Sequence, residues 1–290
     1  MAKILIFGST GMLGSSLKYE LLNTSHEVYF TTRGTNLILE PREFSFDFAD
    51  VELESWFDDK PKFDFIINGI GAIPQKYSNG SENEIRQMIE LNSFLPEYLN
   101  EQSSLHGFQV IQIATDCVFS GASGKYTENS IHDASDIYGV TKSLGEKYSG
   151  DAMTLRCSII GRNDHTNSSL HNWVLSNQPN ATINGYRNHL WNGITTVAFA
   201  RIVRGVIDND LFQSGLQHLL PSNEVTKDEL IRVIAQVNNR SDLKIVSTDH
   251  EMTIDRTLKS LNPKKNQLLW GSAGYDKIPS ISELVIEMDA

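Results

Sequence analysis

The chain has 290 residues, of which 40% are hydrophobic and 21% charged, a composition typical of a soluble globular protein. Its formal net charge of −11 argues against sequence-independent binding of nucleic acid, which needs a basic surface. Two cysteines without C-x-x-C spacing and eight scattered histidines predict neither a disulfide framework nor a metal site, and no apolar run approaches the roughly 20 residues that span a bilayer.

A strand and three glycines open the chain. Residues 4–7 form a short apolar run, typical of a strand buried on both faces of a parallel sheet, and helical spacing resumes at Ser15. Glycines in a G-x-x-G-x-x-G pattern between them permit a tight turn, let the backbone approach a diphosphate and allow close packing of helix on strand. The sequence predicts a dinucleotide-binding turn, with an ordinary strand–helix turn as the alternative. The residues of this turn are Gly8, Ser9, Thr10, Gly11, Met12, Leu13 and Gly14.

A second strand, predicted at residues 26–34, ends in Thr31, Thr32 and Arg33. In an NAD-binding unit an acidic residue roughly 20 positions after the glycines binds the ribose 2′-hydroxyl. This strand has no carboxylate there, and an arginine beside a threonine hydroxyl suits the 2′-phosphate of NADP. The sequence therefore favours NADP(H) over NAD(H), with a solvated surface arginine as the alternative interpretation of Arg33.

The next segments add further candidate contacts to the cofactor. Residues 44–47 predict a third strand and 51–60 a short acidic helix, so that Asp47 either reaches the adenine amino group or caps the helix. A fourth strand, predicted at 63–68, ends in small residues that suit a wall for a flat cofactor. The residues of that wall are Asn68, Gly69, Ile70 and Gly71. A helix is then predicted from residue 82 to 100, with a kink at Pro96.

Three side chains suggest proton transfer. Tyr138 and Lys142 are four residues apart at the start of a predicted helix and therefore lie on one face. An ammonium group beside a phenol favours the phenolate, so Lys142 is predicted to lower the pKa of Tyr138. Thr115 follows a strand predicted at 108–114, at the edge where doubly wound sheets bind ligands, and its hydroxyl suits a carbonyl oxygen. The alternative for Tyr138 and Lys142 is an ordinary surface pair at helical spacing, and the alternative for Thr115 is a strand-end threonine that bonds local backbone.

Strands and helices alternate over roughly the first 160 residues, which predicts an α/β fold with a doubly wound parallel sheet. Residues 162–192 show little periodicity, and helical spacing returns at 195–207 and 226–237. We expect a nucleotide-binding domain and a smaller, discontinuous α/β substrate domain. Their predicted bounds are residues 1–160 plus about 193–221 for the first, and about 161–192 plus 222–290 for the second.

The chain resembles the extended short-chain dehydrogenases/reductases, and within them the dTDP-4-dehydrorhamnose reductase branch. The resemblance covers nearly the whole chain. It is carried by residues 8–14 (GSTGMLG), 115–121 (TDCVFSG), 126–128 (YTE), 138–142 (YGVTK), 145–146 (GE) and 154–156 (TLR), with weaker matches at 193–196 and 255–258. It implies the NADPH-dependent reduction of a keto group on a nucleotide-linked deoxysugar.

By position, the resemblance implies a role for each candidate. Thr115 polarises the carbonyl, Tyr138 donates the proton, and Lys142 tunes the tyrosine and binds the nicotinamide ribose. Asn92 matches an asparagine that is common in the corresponding helix of the family, and Ala114 lies beside the threonine. Both are expected at the cofactor site.

The expected substrate contacts are Val118, Phe119, Arg187, Asn188 and Trp191, with His189 and Asn192 in the same stretch. An arginine suits a diphosphate and a tryptophan suits stacking on a base or sugar, although a core position is the alternative for Trp191. Cys117 and residues 158–160 depart from the more aromatic pattern of the branch. Because of this departure, the resemblance does not specify which sugar and which nucleotide base the substrate contains.

Two other functions remain open at this point. The first is a nucleotide-sugar epimerase with the same threonine, tyrosine and lysine, and the second is a non-catalytic NADP-binding regulatory protein. A dehydratase is disfavoured because Cys117 replaces the glutamate that follows the aspartate in those enzymes. We expect a cytoplasmic protein without a signal peptide that binds a nucleotide sugar but neither nucleic acid nor membrane, and the sequence leaves a homodimer open.

Overall fold

The computed structural model describes residues 1–34, 41–74, 81–147, 149–162 and 169–290. Within these ranges the strands are β1 (Lys3–Phe7), β2 (Glu27–Thr32), β3 (Glu43–Ser45), β4 (Phe65–Asn68), β5 (Gln109–Thr115), β6 (Met153–Cys157), β7 (Ile159–Ile160), β8 (Thr182–Tyr186), β9 (His189–Trp191), β10 (Ile194–Thr195), β11 (Gly215–His218), β12 (Val225–Thr226), β13 (Lys244–Thr248) and β14 (Ile254–Asp255). The helices are α1 (Met12–Leu22), α2 (Glu82–Ile89), α3 (Leu95–His106), α4 (Ile137–Lys147), α5 (Leu170–Ser176), α6 (Thr196–Asp208), α7 (Lys227–Val237), α8 (Pro263–Ser272) and α9 (Ile281–Asp289). A π-helical turn (Glu90–Phe94) joins α2 to α3, and a 3-10 turn (Asp116–Val118) follows β5.

Seven parallel strands form the main sheet, in the order β11-β6-β5-β4-β1-β2-β3. The chain leaves β1 toward one edge and returns through β4 toward the other, so the strand order reverses between these two strands. Ile4, Leu5, Ile6 and Phe7 of β1 are each 0% exposed, because the apolar run is covered on both faces of the sheet. The predicted α/β fold with a parallel sheet is confirmed.

Alternate residues of β1 contribute to two separate hydrophobic cores. Ile4 and Ile6 belong to the core beneath α1 and α6, whereas Leu5 and Phe7 belong to the core beneath α2 and α3. This division follows from the two-residue period of a strand, which turns successive side chains to opposite faces. The central strands are therefore fixed from both sides, and so are the loops that leave their carboxyl ends.

A smaller group of elements lies after the sheet in the chain. β8 pairs with β13, β9 pairs with β12 and β14, and α7 packs on β8 and β9 over a third hydrophobic core. α8 instead contributes Leu269 and Trp270 to the core of the main sheet. The predicted domain boundaries stay a prediction, and part of the irregular stretch at 162–192, residues 163–168, lies outside the described residues. No helix among the described residues is long and apolar enough to cross a membrane.

The short acidic helix predicted at residues 51–60 is wrong, because this stretch forms consecutive turns. Its hydrogen bond from the Asp58 N–H to the Ser55 carbonyl (3.0 Å) spans three residues instead of four. Trp56 and Phe57 are 8% and 5% exposed and belong to the core beneath α2 and α3. Burial of these two adjacent rings overrides the weak helical preference of the acidic residues around them.

The helix predicted from residue 82 to 100 extends to residue 106, and the irregularity expected at Pro96 takes the form of the π-helical turn just before it. Pro96 lies in the first turn of α3 but inside the continuous helix, so its missing N–H removes a bond of the helical ladder next to the wider π-helical turn. α4 packs against the π-helical turn. A Cβ atom on Gly145 of α4 would overlap the carbonyl oxygen of Asn92, so only glycine permits this approach.

Replacing Gly145 with alanine will lower the free energy of unfolding by about 1–3 kcal/mol, because the added methyl group meets a backbone atom that cannot move aside. Gly271 provides the matched control, since it lies in α8 and no atom lies within 4 Å of the position of its Cβ. Gly271→Ala will leave stability unchanged or raise it by up to about 1 kcal/mol. Urea denaturation measures both variants, and equal effects would contradict the close approach at Gly145.

Candidate active site

The candidate site lies at the carboxyl-terminal edge of the sheet. β1 ends at Phe7, β4 at Asn68 and β5 at Thr115, and the register places Phe7 beside Asn68 and Asn68 beside Gln112. Because the strand order reverses between β1 and β4, the loops that follow these two strands diverge and leave a crevice between them. The predicted glycine turn, wall and catalytic threonine therefore share one edge.

The turn from Gly8 to Gly14 is shaped as a cradle for an anion. Gly8 has a φ of +75°, which favours glycine, and a Cβ on Gly14 would overlap the Gly8 carbonyl oxygen, so both glycines are required by geometry. The Gly8 N–H donates to Thr31 Oγ1 (3.0 Å) and the Ser9 hydroxyl to the Thr31 carbonyl (3.2 Å), which fastens the turn to β2. Gly11 caps α1 without a side-chain hydrogen bond and without an acidic residue in the first turn, so the helix start suits a phosphate.

Polar side chains gather where β2 and β3 end. The Thr32 hydroxyl is buried and has no hydrogen-bond partner among the described residues, which is uncommon for a buried polar atom. The Arg33 guanidinium is 64% exposed and its Nε lies 3.8 Å from Asp47 Oδ2. A ligand hydroxyl or phosphate would satisfy the threonine and face the arginine, so the residues present fit NADP.

The predicted wall of the cofactor site is held by two amide side chains. Asn68 donates from Nδ2 to Gln112 Oε1 (2.9 Å) and accepts from the Ile70 N–H (3.0 Å). Asn92 accepts from the Ala72 N–H (2.9 Å) and donates to the Ala72 carbonyl (3.0 Å), and its Nδ2 also contacts Thr141 Oγ1 (3.1 Å). The loop after β4 is thus bonded to the π-helical turn and to α4.

Thr115 and Tyr138 are neighbours, because the threonine side chain acts on the phenol and lowers its pKa. Thr115 Oγ1 also donates to Asp116 Oδ1 (3.2 Å) and accepts from the Cys117 N–H (3.2 Å). Lys142 lies four residues after the tyrosine on α4 and is 9% exposed. Ala114, next to the threonine, is buried. The arrangement offers two hydroxyl groups to one oxygen atom of a ligand.

The electrostatics of the pair differ from the sequence-based expectation. Burial raises the pKa of Tyr138 above its usual value, Cys117 raises it further, and Thr115 lowers it. The predicted lowering of this pKa by Lys142 is wrong for the described side chains, because burial raises the pKa and Lys142 is not among the groups that act on it. Burial lowers the pKa of Lys142, although the nearby Glu146 opposes this change. Tyr138 is therefore a phenol at neutral pH and is ready to donate its proton.

The side chains predicted to contact substrate lie in different settings. Val118 and Phe119 are each 0% exposed, and Phe119 stacks on Tyr126. Arg187 is exposed and forms an ion pair with both carboxylate oxygens of Asp249 (3.1 and 2.7 Å). Contact of these three residues with a substrate stays a prediction.

Asn188 and Trp191 fasten loops near the site. The Asn188 side chain donates to the His250 carbonyl (2.7 Å) and accepts from its N–H (2.9 Å). The Trp191 indole is 8% exposed and donates to Ser158 Oγ (2.7 Å), and Ser158 lowers the pKa of Asp116. Through Ser158, Trp191 therefore lies near the carboxyl group that accepts from Thr115. Their contact with a substrate also stays a prediction.

Two cations beside the site had no assigned role in the sequence interpretation. Arg256 lies in one of the weaker matching stretches, and its Nε donates to the Phe119 carbonyl (2.9 Å). Lys227 follows the helix-capping residue Thr226, and no local pattern distinguishes it from a solvated lysine at a helix start. Burial lowers the pKa of Lys227, and Asp116 and Cys117 interact with its charge.

The comparisons with known proteins agree with this geometry. A family model described as the RmlD substrate binding domain matches residues 2–261. A dTDP-4-dehydrorhamnose reductase from Aggregatibacter actinomycetemcomitans is 29% identical over 148 residues, which cover 51% of this chain and 46% of that relative. The match thus spans about half the length of the curated relative.

Two solved structures resemble the fold over nearly the whole chain. A dTDP-4-dehydrorhamnose reductase from Bacillus anthracis str. Ames, in complex with NADP, has a TM-score of 0.76 at 16% identity, covering 99% of this chain and 98% of that chain. A UDP-glucuronic acid 4-epimerase from Bacillus cereus, in complex with a fluorinated UDP-glucuronic acid and NAD, has a TM-score of 0.75 at 16% identity, with the same coverage of 99% and 98%. At these identities the likeness shows the shared fold.

Replacing Asp116 with asparagine will raise the free energy of unfolding near neutral pH. Burial raises the pKa of this carboxyl group, so its charged form costs stability above that pKa, and the cost disappears where the folded and unfolded chains are both protonated. The gain should therefore shrink as the pH is lowered to about 4. Urea denaturation at the two pH values measures it.

Asp133 is the matched control for this substitution. Hydrogen bonds from the side chain and backbone of Ser120 hold the pKa of Asp133 below its usual value, so its charge stabilises the fold above the usual carboxyl pKa. Asp133→Asn should lose stability near neutral pH, and this loss should fade toward acid. If Asp116→Asn also loses stability near neutral pH and this loss fades toward acid, the buried carboxylate is well compensated by its neighbours, and the expected gain is contradicted.

Proposed function

The chain belongs to the RmlD substrate binding domain family, and we propose that it catalyses the NADPH-dependent reduction of a keto group on a nucleotide-linked deoxysugar. The observation that carries this proposal is the proximity of Thr115 and Tyr138 at the sheet edge, with Lys142 on the same face of α4 as the tyrosine. The glycine turn lies at the same edge, which supports binding of the cofactor next to the two hydroxyl groups.

The cofactor contacts follow from the cradle and from the polar side chains where β2 and β3 end. The backbone N–H groups at the start of α1 would hold the diphosphate, and the unpartnered Thr32 hydroxyl with Arg33 would hold the 2′-phosphate. Asp47 would face the adenosine beside the arginine, and residues 68–71 would form the wall. NADP is therefore proposed over NAD.

In the proposed reaction, bound NADPH supplies the hydride. Thr115 and Tyr138 donate hydrogen bonds to the carbonyl oxygen of the substrate, and the charge that develops on this oxygen strengthens both bonds. Tyr138 then transfers its proton to the oxygen. Its raised pKa keeps the phenol protonated until that moment, when the substrate oxygen becomes the stronger base.

Lys142 stabilises the phenolate that remains. The ammonium group is buried, so solvent screens its charge weakly, and it lies on the helix face that carries the tyrosine. Asn92 keeps the spacing of these groups, because its side chain bonds both Thr141 of the same helix and the loop after β4. Removal of Lys142 would therefore raise the energy of the charged product state.

Tyr138→Phe will lower kcat by at least about 100-fold, since the proton donor is lost while the ring remains. The assay mixes the protein with NADPH and dTDP-4-keto-6-deoxyhexoses and follows the loss of reduced nicotinamide. Tyr19, which is 74% exposed on α1, gives the control Tyr19→Phe with unchanged kcat. Isomerised product without net oxidation would establish an epimerase, and unaltered biological activity in a Tyr138→Phe variant that binds NADPH would establish a regulatory protein.

Arg33→Gln will raise the Kd for NADPH by about tenfold and leave the Kd for NADH nearly unchanged, because only NADPH has a 2′-phosphate to pair with the guanidinium. Arg42→Gln removes the same charge near β3 and should change neither Kd. Fluorescence titration with each cofactor measures the four values. A similar rise in Kd for both cofactors, or for neither, would refute the proposed preference.

A further inference from the structure

Lys227 is a partly buried cation without a bonded partner. It is the first residue of α7, and among the described residues no hydrogen bond or ion pair to its ammonium group is present. The acidic neighbours on its own helix are already engaged: Asp228 accepts from Arg232 (3.0 and 3.1 Å), and Glu229 accepts from the Thr226 N–H (2.7 Å). An ammonium group removed from water without a partner costs free energy, so an anion beside it would be stabilising.

The lysine lies near the sheet edge that carries Thr115. Thr226 pairs with Leu190 between β12 and β9, which puts Lys227 next to His189, and the charge of the lysine interacts with Asp116 and Cys117, the two residues that follow Thr115. The loop after β5 and the start of α7 are therefore neighbours. A group bound between them would lie beside the hydroxyl groups that are proposed to act on the carbonyl.

Two further nitrogen-bearing side chains, Arg256 and His189, lie near Cys117 and Lys227. The Arg256 Nη1 lies 3.8 Å from Cys117 Sγ, and its Nε is fixed by the Phe119 carbonyl. His189 Nε2 is enclosed and has no hydrogen-bond partner among the described residues, and the charges of both Lys227 and Arg256 act on this imidazole. Nitrogen groups from three segments thus lie near one another, and two of them, the Lys227 ammonium and His189 Nε2, have no bonded partner among the described residues.

Two carboxyl groups act on these cations. Asp116 interacts with both Lys227 and Arg256, and burial raises its own pKa, whereas Asp133 interacts with Arg256. An anionic ligand would give the lysine a charged partner at bonding distance, which no described residue supplies.

We propose that Lys227, together with Arg256, binds an oxyanion of the substrate beside the reacting carbonyl. This inference rests on the proposed function and adds the requirement that the substrate presents either the diphosphate of its nucleotide or a carboxylate on its sugar at this point. Arg256 supplies a fixed N–H group and Lys227 a point charge, and His189 Nε2 is available for a further hydrogen bond.

The test measures ligand affinity by calorimetry for the NADP-saturated full chain. The probes are dTDP, UDP, GDP and CDP, followed by UDP-glucose and UDP-glucuronate. Lys227→Met should weaken oxyanion binding by about 10- to 100-fold, and Lys227→Arg should restore most of it. Lys277→Met is the matched control, because Lys277 is 77% exposed and pairs with Glu283, and it should leave every affinity unchanged.

The two sources of the oxyanion give different results. If the lysine binds the diphosphate, Lys227→Met weakens the binding of free nucleoside diphosphates and of both UDP-sugars by a similar factor. If a sugar carboxylate is bound, the loss is confined to UDP-glucuronate, which binds the unaltered chain more tightly than UDP-glucose. Either result supports the proposal.

Equal affinities of Lys227→Met and the unaltered chain for every nucleotide that binds would overturn the inference while leaving the proposed reductase function intact. Binding of NADPH without binding of any nucleotide or nucleotide sugar would instead overturn the proposed substrate class, and the inference with it. NADPH affinity itself should be the same in the Lys227 and Lys277 variants, which shows that each variant is folded.

Discussion

The geometry of the candidate site depends on one close approach, that of α4 at Gly145 to the carbonyl of Asn92. Because no side chain stands between them, the Asn92 amide reaches Thr141 on α4 while it also bonds the backbone of Ala72. One residue therefore joins the helix that carries Tyr138 and Lys142 to the loop that would contact a cofactor. The π-helical turn widens the helix at this place, and such turns often occur where a helix carries function.

A buried ion pair holds the other half of α4. Arg156 of β6 is 0% exposed and hydrogen-bonds the carboxylate of Glu146, and its guanidinium also contacts the rings of His132 and His218 (2.8 Å each). Loss of one member would leave a charge uncompensated in the interior, so the pairing fixes the helix against the sheet. Burial and the adjacent arginine hold the pKa of His218 down to about 4, so this ring stays neutral beside it.

The parts of the site that the sequence predicts are those with a local pattern. The glycine turn at Gly8 and the position of Thr115 follow from strand periodicity and from the rule that ligands bind at strand ends. Arg187 was expected at a diphosphate, but its partner Asp249 lies 62 residues later, and no local pattern indicates that pairing. Lys227 had no signal at all, since its burial beside the site arises from the packing of distant segments. The prediction therefore differs from the structure more in the contacts between distant segments than in the types of the secondary-structure elements.

Net reduction is the central claim, and it is tested most directly with NADPH that carries deuterium at the transferred position. When the protein is mixed with a dTDP-4-keto-6-deoxyhexose, mass spectrometry should find the deuterium in the nucleotide sugar, with one oxidised cofactor formed for each product molecule. The Thr115–Tyr138 pair requires this result if it protonates the oxygen as hydride arrives. An isomerised sugar without deuterium and without oxidised cofactor would contradict it.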